Sequence, residues 1–147
     1  MIAVVQRASQ ASVASEGSVC GSLTTPTGLC VLLGVERTDT VELAKRCAEK
    51  LAKLRIFDDP AGKMNLSVLD VGGSALVVSQ FTLVADTSGG NRPSFIGAAQ
   101  PEVAEPLVET VVEQLRSLGV PTETGRFRTA MQVSLVNDGP TTIILKL

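Results

Sequence analysis

The eight residues Leu76-Val77-Val78-Ser79-Gln80-Phe81-Thr82-Leu83 constrain this chain more than any other stretch. They open as a β-branched apolar run of the kind that forms a strand covered on both faces. They close with three side chains that form hydrogen bonds. A strand over 76–83 would set Ser79, Phe81 and Leu83 on one face and Gln80, Thr82 and Val84 on the other. Polar groups at the end of a buried strand need partners or a task. Strand ends hold core polar groups and site residues alike, so hydrogen bonding to a neighbouring loop explains this strand equally well. A second stretch, Asn137-Asp138-Gly139-Pro140-Thr141, shifts the balance toward a site.

The 147 residues are enough for one domain with a sizeable core. No apolar run approaches membrane-spanning length, and no basic segment leads into an apolar one at the start. Neither a transmembrane helix nor a signal peptide is therefore expected. Cys20, Cys30 and Cys47 are odd in number and widely spaced. They form no metal or redox motif and are read as buried, reduced thiols. A net charge of −2, from 13 basic and 15 acidic residues, rules out a general nucleic-acid coat. A polyanionic partner has to meet a local patch.

The most telling absence is histidine, of which there is none. That excludes Ser-His-Asp and Cys-His machinery and any imidazole metal ligand. Catalysis here must draw on carboxylates, lysine, main-chain dipoles or groups carried by the substrate.

In chain order, residues 2–7, 11–14, 18–23 and 28–35 read as strands, with turns at Gly17 and around Pro26 and Gly28. Gln6 and Arg7 close the first of them, as a buried polar contact or as a solvated strand end. Asp39 and Glu42 have capping-box spacing. Ala44, Cys47, Ala48 and Leu51 follow at helical intervals, giving an amphipathic helix over 40–54 whose Lys45, Arg46, Lys50 and Lys53 form its solvated face. Asp58-Asp59-Pro60-Ala61-Gly62 is turn chemistry before it is a metal site. Residues 68–73 lead by Gly72-Gly73 into the 76–83 strand, and the glycine-bearing loop 85–95 is of the kind that carries binding or is mobile. A second helix presents Val108, Val111, Val112 and Leu115 on one stripe and stops at Gly119. Pro106 marks either its start or a kink. Strands over 120–124, 131–136 and 141–147 complete the set. Asp138-Gly139 between the last two is a hairpin signal. Pro140 is unusual there, since it removes a donor where pairing should resume, a place suited to a cis Gly-Pro bond.

Ser79-Gln80-Phe81-Thr82-Leu83 together with Asn137-Asp138-Gly139-Pro140-Thr141-Thr142 closely resembles the paired signatures of D-aminoacyl-tRNA deacylases. The resemblance continues through Val4-Val5-Gln6-Arg7, Leu32-Leu33-Gly34-Val35, Leu54-Arg55-Ile56-Phe57, Gly62-Lys63-Met64-Asn65-Leu66, Arg92-Pro93-Ser94-Phe95 and Thr124-Gly125-Arg126-Phe127, in the same order along the chain. It implies a single α+β domain whose mixed or antiparallel sheet curls toward a barrel, with two main helices, assembled as a cytoplasmic homodimer. It also implies a hydrolase that frees tRNA from D-amino acids and accepts glycine, acting on the aminoacylated 3′ end without cofactor, metal or membrane. Carried over, Gly139 and Pro140 form a cis pair reaching into the partner subunit, where their carbonyls fill the space an L side chain needs. Ser79, Gln80, Phe81 and Thr82 line the pocket for the aminoacyl group. Arg7 braces the Gly-Pro loop, Phe127 meets the terminal adenine, and Met131, Asn137 and Arg92 complete the substrate contacts.

Two departures matter. The usual Gly-Pro-Val-Thr is Gly139-Pro140-Thr141-Thr142 here, a near-isosteric change. The often basic segment before Arg92 is Ser88-Gly89-Gly90-Asn91, so Arg126 and Arg128 are expected to supply charge, with Lys63 in reserve. An activated ester with a neighbouring ribose 2′-hydroxyl needs only positioning and main-chain donors, which agrees with the absence of histidine. Thr82 as nucleophile has no nearby base in sequence. Two other function classes remain: a nucleic-acid-binding module of the same fold without hydrolysis, and a carboxylate hydrolase of small esters relying on residues such as Asp86.

Overall fold

A computed structural model describes all residues, Met1–Leu147. The strands are β1 (Ile2–Ser15), β2 (Ser18–Ser22), β3 (Gly28–Gly34), β4 (Phe57–Asp58), β5 (Met64–Leu66), β6 (Ser74–Ser79), β7 (Thr122–Thr124) and β8 (Met131–Lys146). The helices are α1 (Val41–Lys53) and α2 (Pro101–Ser117). β1 pairs antiparallel with β3 along residues 2–8, with β2 along 12–15, and with β8 over nearly its whole length. β3, β6 and β7 run parallel. The sheet is mixed, and it curls until β2 lies against β7, where Ser22 N donates to Glu123 Oε2 at 2.7 Å. A Cβ on Gly21 would stand 2.6 Å from the Thr124 carbonyl oxygen, so only glycine allows this closure.

The expected break between strands 2–7 and 11–14 is absent. One bent strand replaces both, with bulges around Arg7 and Ser9. A bulge shifts the alternation by one and sends later side chains to the other face. Ala3 and Val5 therefore join the larger core under the helices, whereas Ala8, Ala11 and Val13 join the smaller one inside the curl. The larger core has 23 buried residues and the smaller only six, because the inner side is left partly open.

The helices cover one face. Ala44, Cys47, Ala48, Leu51 and Ala52 of α1 are buried against the sheet and α2, and their small size allows close approach. The N-cap is Thr40, whose side chain accepts from Leu43 N, one residue beyond the expected Asp39. Asp39 is engaged elsewhere: with Glu36 it holds the Met1 ammonium at 2.7 and 2.6 Å. Burial opposes that charge, but the hydrogen bonds to Asp39 and Glu36 outweigh it and keep the amine protonated above its ordinary range. α2 starts at Pro101, five residues before Pro106, so Pro106 lies inside the helix and does not open it. Cys30 and Cys47 are buried as expected, and burial pushes their thiols up to about 11 and about 12. Cys20 is exposed, contrary to expectation, because the outer residues of β2 face solvent. No helix is long and apolar enough to cross a membrane.

Two further corrections shape the site. The strand at 76–83 ends at Ser79, and Phe81–Val84 form a 3-10 turn instead. Alternation therefore stops at Gln80, and Phe81 and Thr82 both face outward. Gly34 makes room for this turn: a Cβ there would lie 3.0 Å from Leu83 Cβ and 3.1 Å from the Gln80 carbonyl oxygen. The second correction concerns Asn137-Asp138-Gly139-Pro140, which is not a hairpin. The chain continues in one direction, and 131–136 and 141–147 are two halves of β8.

Candidate active site

β3 and β6 are parallel and end together, at Gly34 and Ser79. The carboxyl ends of parallel strands are where ligands enter open α/β sheets. Here that end opens into a cavity of about 580 Å³. Its wall brings together Ser79, Gln80 and Phe81 with Phe127 and Met131, five residues singled out in the sequence from two distant segments. Phe81 and Phe95 meet edge to face at the rim, with ring centroids 5.1 Å apart. Sequence reasoning missed Leu33, Val35, Ala98 and Gln100-Pro101, the last pair opening α2. Their only sequence signal was the end of an apolar strand and a proline at a helix start.

The cavity wall contains no Asp, Glu, Cys or Lys; Arg128 is its one ionisable residue. Thr82 is not part of the wall, and its hydroxyl accepts from Gln80 Nε2. No side-chain base stands beside it. The Phe81 and Thr82 amides open the 3-10 turn and take no acceptor within the chain. They are the unsatisfied donors that any helix start presents; Phe81 lines the cavity and Thr82 adjoins it in the chain.

A second group of expected residues gathers elsewhere. Opposite Arg7, the ladder skips from Asn137 paired with Ala8 to Thr142 paired with Gln6. Asp138, Gly139, Pro140 and Thr141 are thus looped out of the ladder between β1 and β8, and the Gly139-Pro140 peptide is cis. Arg7, only 7% exposed, holds the loop from behind. Its Nε donates to the Asp138 carbonyl at 3.2 Å and pairs with Asp138 Oδ2 at 3.0 Å. Its Nη1 donates to the Ile56 carbonyl at 2.8 Å and pairs with Asp58 at 3.3 Å. Asn137 Nδ2 ties the neck, donating to the Arg7 and Thr141 carbonyls at 2.9 and 3.0 Å. The result is a braced tip, exposed at Asp138, Gly139 and Pro140, that forms no part of its own chain's cavity.

Thr141 is 3% exposed and its hydroxyl is the one buried side-chain polar atom without a partner. A buried hydroxyl left unpaired costs about 1–3 kcal/mol. Thr141→Val keeps the shape and removes that group, so it should stabilise the protein by about 1 kcal/mol, raising Tm by roughly 2–4 °C. A fall in Tm would show that the hydroxyl finds a partner in solution.

Other candidates lie apart. Arg92 is exposed in the 85–95 loop, whose base is closed by Asp86 and Ser94. Arg126 is spent on Glu16 at 2.8 Å. Asp86 accepts from Ser88 N, which holds its carboxyl below the usual range; it does not line the cavity. Asp59 closes its turn by accepting from Ala61, Lys63 and Asn65. No three acidic or thiol side chains cluster as a metal site would require.

The family model described as D-Tyr-tRNA(Tyr) deacylase matches residues 4–146. D-aminoacyl-tRNA deacylases are similar along the whole chain. That of Anaeromyxobacter dehalogenans is 57% identical, covering 99% of this chain and 96% of its own. That of Shewanella amazonensis is 52% identical, covering all of both. A solved structure described as c-Myc DNA Unwinding Element Binding Protein superposes with a TM-score of 0.92 at 40% identity, covering 100% of this chain and 99% of the other. Another, of a probable eukaryotic D-amino acid tRNA deacylase, gives 0.79 at 15% identity, covering 98% and 97%, and speaks to the fold alone.

Proposed function

The chain belongs to the D-Tyr-tRNA(Tyr) deacylase family of hydrolases, and on that premise we propose that it edits D-aminoacyl-tRNA in the cytoplasm, as a homodimer, by positioning the ester and not by side-chain nucleophilic catalysis. The observation that carries this is the pairing of a cavity lacking any acid, thiol or amine with two unengaged amides, that of Phe81 in its wall and that of the adjoining Thr82. Donors aimed at a developing oxyanion lower the barrier most where water is excluded. In this reading water adds to the ester carbonyl while those amides take up the charge. The bond to the ribose oxygen then breaks, and that oxygen receives the proton, assisted by the neighbouring 2′-hydroxyl. The products are the free D-amino acid and uncharged tRNA.

Handedness is read by the tip. Gly139 and Pro140 stand exposed and outside their own cavity on a loop stiffened by Arg7 and Asn137, free to enter the cavity of a second copy. Their carbonyls then occupy the position of an L side chain, and glycine passes. Phe127, half-buried in the cavity wall, offers a face to the terminal adenine.

The test is deacylation of D-Tyr-tRNA by the purified protein, with Ser79→Ala and Thr82→Ala beside it. Both variants should keep turnover within about tenfold of the parent. Complete loss in either, with fold and tRNA binding intact, would restore a hydroxyl nucleophile. A fully active monomer by light scattering would remove the role of the tip. The competing reading, a nucleic-acid-binding module without hydrolysis, draws on the name of the 40%-identical solved relative. It would be favoured by tight binding of tRNA with no release of D-tyrosine.

A further inference from the structure

On the opposite side of α1 from its buried face lies a groove of about 660 Å³ that the reaction above does not use. Arg46, Lys50 and Lys53 recur along α1 at helical spacing and line one wall. Arg55 follows the helix, and Lys146 comes from the far end of β8. Glu49 is the one acidic side chain among the lining residues. None of the five cations is in an ion pair; every salt bridge in the chain lies elsewhere.

The distribution is lopsided. Of 13 basic and 15 acidic residues, five basic and one acidic line this groove, leaving eight basic against 14 acidic everywhere else. A helix C-terminus favours cations, which accounts for Lys50 and Lys53 in the last turn of α1. A lysine near the end of an edge strand guards against aggregation. Neither reason brings Arg46, Arg55 and Lys146 to the same hollow.

We infer that this groove holds the phosphate backbone of the tRNA whose 3′ end occupies the cavity, an inference that rests on the reading under Proposed function. Arg46 to Lys53 spans about 10 Å along the helix, a length over which one nucleic-acid strand presents two or three phosphates. The groove is also tied to the tip: Arg55 precedes Ile56, whose carbonyl accepts from Arg7, the residue that braces Asp138. The groove supplies the local patch that a −2 chain requires, at a place other than Arg92, Arg126 and Arg128.

The experiment compares the parent with Lys50→Glu/Lys53→Glu. Three readouts are taken: tRNA affinity by fluorescence anisotropy across salt concentrations, hydrolysis of D-Tyr-tRNA, and hydrolysis of the D-tyrosyl ester of adenosine, which carries no phosphate. The reversal should weaken tRNA binding at least tenfold and reduce the slope of log affinity against log salt by about 1.5. Hydrolysis of the adenosine ester should not change. Lys50→Gln/Lys53→Gln, which keeps the helix free of new acid at its C-terminus, should give a smaller loss in the same direction. Unchanged tRNA affinity in both variants would overturn the inference while leaving the deacylase reading intact, as would equal losses on tRNA and adenosine ester. Competition by polyglutamate as effective as that by tRNA, at equal charge, would assign the groove to an acidic peptide and overturn it too. If the parent hydrolyses neither ester, the deacylase reading falls, and the anisotropy still decides the groove.

Discussion

Replacing Arg7 by alanine should lower kcat/KM for D-Tyr-tRNA about 100-fold while the protein remains folded. Arg7 is the single side chain that reaches the looped-out tip from behind, through the Asp138 carbonyl and carboxylate, and anchors it to the Ile56 carbonyl. Without it, the neck is left to the Asn137 amide and the Gln6 to Thr142 hydrogen bond at its base, neither of which reaches Asp138. Misplacing a positioning element by about 1 Å costs about 100-fold. The stability loss should stay comparable, at about 2–3 kcal/mol, since 100-fold in rate is itself about 2.7 kcal/mol. Asp58 and Asp138 are half-exposed and can be rehydrated once their partner is gone. Arg7→Lys should recover only part of the activity, because one ammonium cannot serve Asp138 and Ile56 from opposite ends of a planar fork. The check is steady-state deacylation alongside a melting curve. Full activity in Arg7→Ala would mean that the tip does not depend on this brace.

A panel of esters should show a still larger effect. If the Gly139-Pro140 carbonyls exclude L side chains by collision, no favourable contact with a D side chain is required. tRNA carrying D-Tyr, D-Asp or glycine should then be deacylated at rates within about tenfold of one another, while L-Tyr falls more than 100-fold below them. The cavity supports this breadth, because Arg128 is its one ionisable residue and its remaining wall is largely apolar. A site that recognised D side chains by contact would rank them, since each matched or missing group is worth about 10–200-fold in an apolar pocket. It would also lose rate on glycine. Rejection of glycine together with a strong preference between D-Tyr and D-Asp would defeat the exclusion model.

Several elements were legible in the chain because their causes are local. The buried stripe Ala44, Cys47, Ala48 and Leu51 repeats at helical intervals, and α1 follows it. Leu76-Val77-Val78 is apolar on both faces, and β6 is buried where that run lies. The absence of histidine bounded the chemistry, and Ser79-Gln80-Phe81 marked the strand end where the cavity opens.

Other features have causes spread over distant residues, and only the tertiary structure decided them. Asp138-Gly139 reads as a hairpin from its neighbours alone. It becomes a looped-out tip because both halves of β8 find the same partner, β1, so the chain cannot reverse there. Phe81 leaves the strand because the pairing of β6 with β3 ends at Leu33, and Gly34 makes room for a turn. Arg7 appeared at first as either a buried contact or a wet strand end; the choice is fixed by Ile56, Asp58 and Asp138, 49 to 131 residues away. Lys50 and Lys53 looked like an ordinary solvated face until β8 brought Lys146 alongside. Periodicity reports which face of an element is buried. It carries no information about which other element comes to lie beside it, and the tip, the cavity and the basic groove are all made at such meetings.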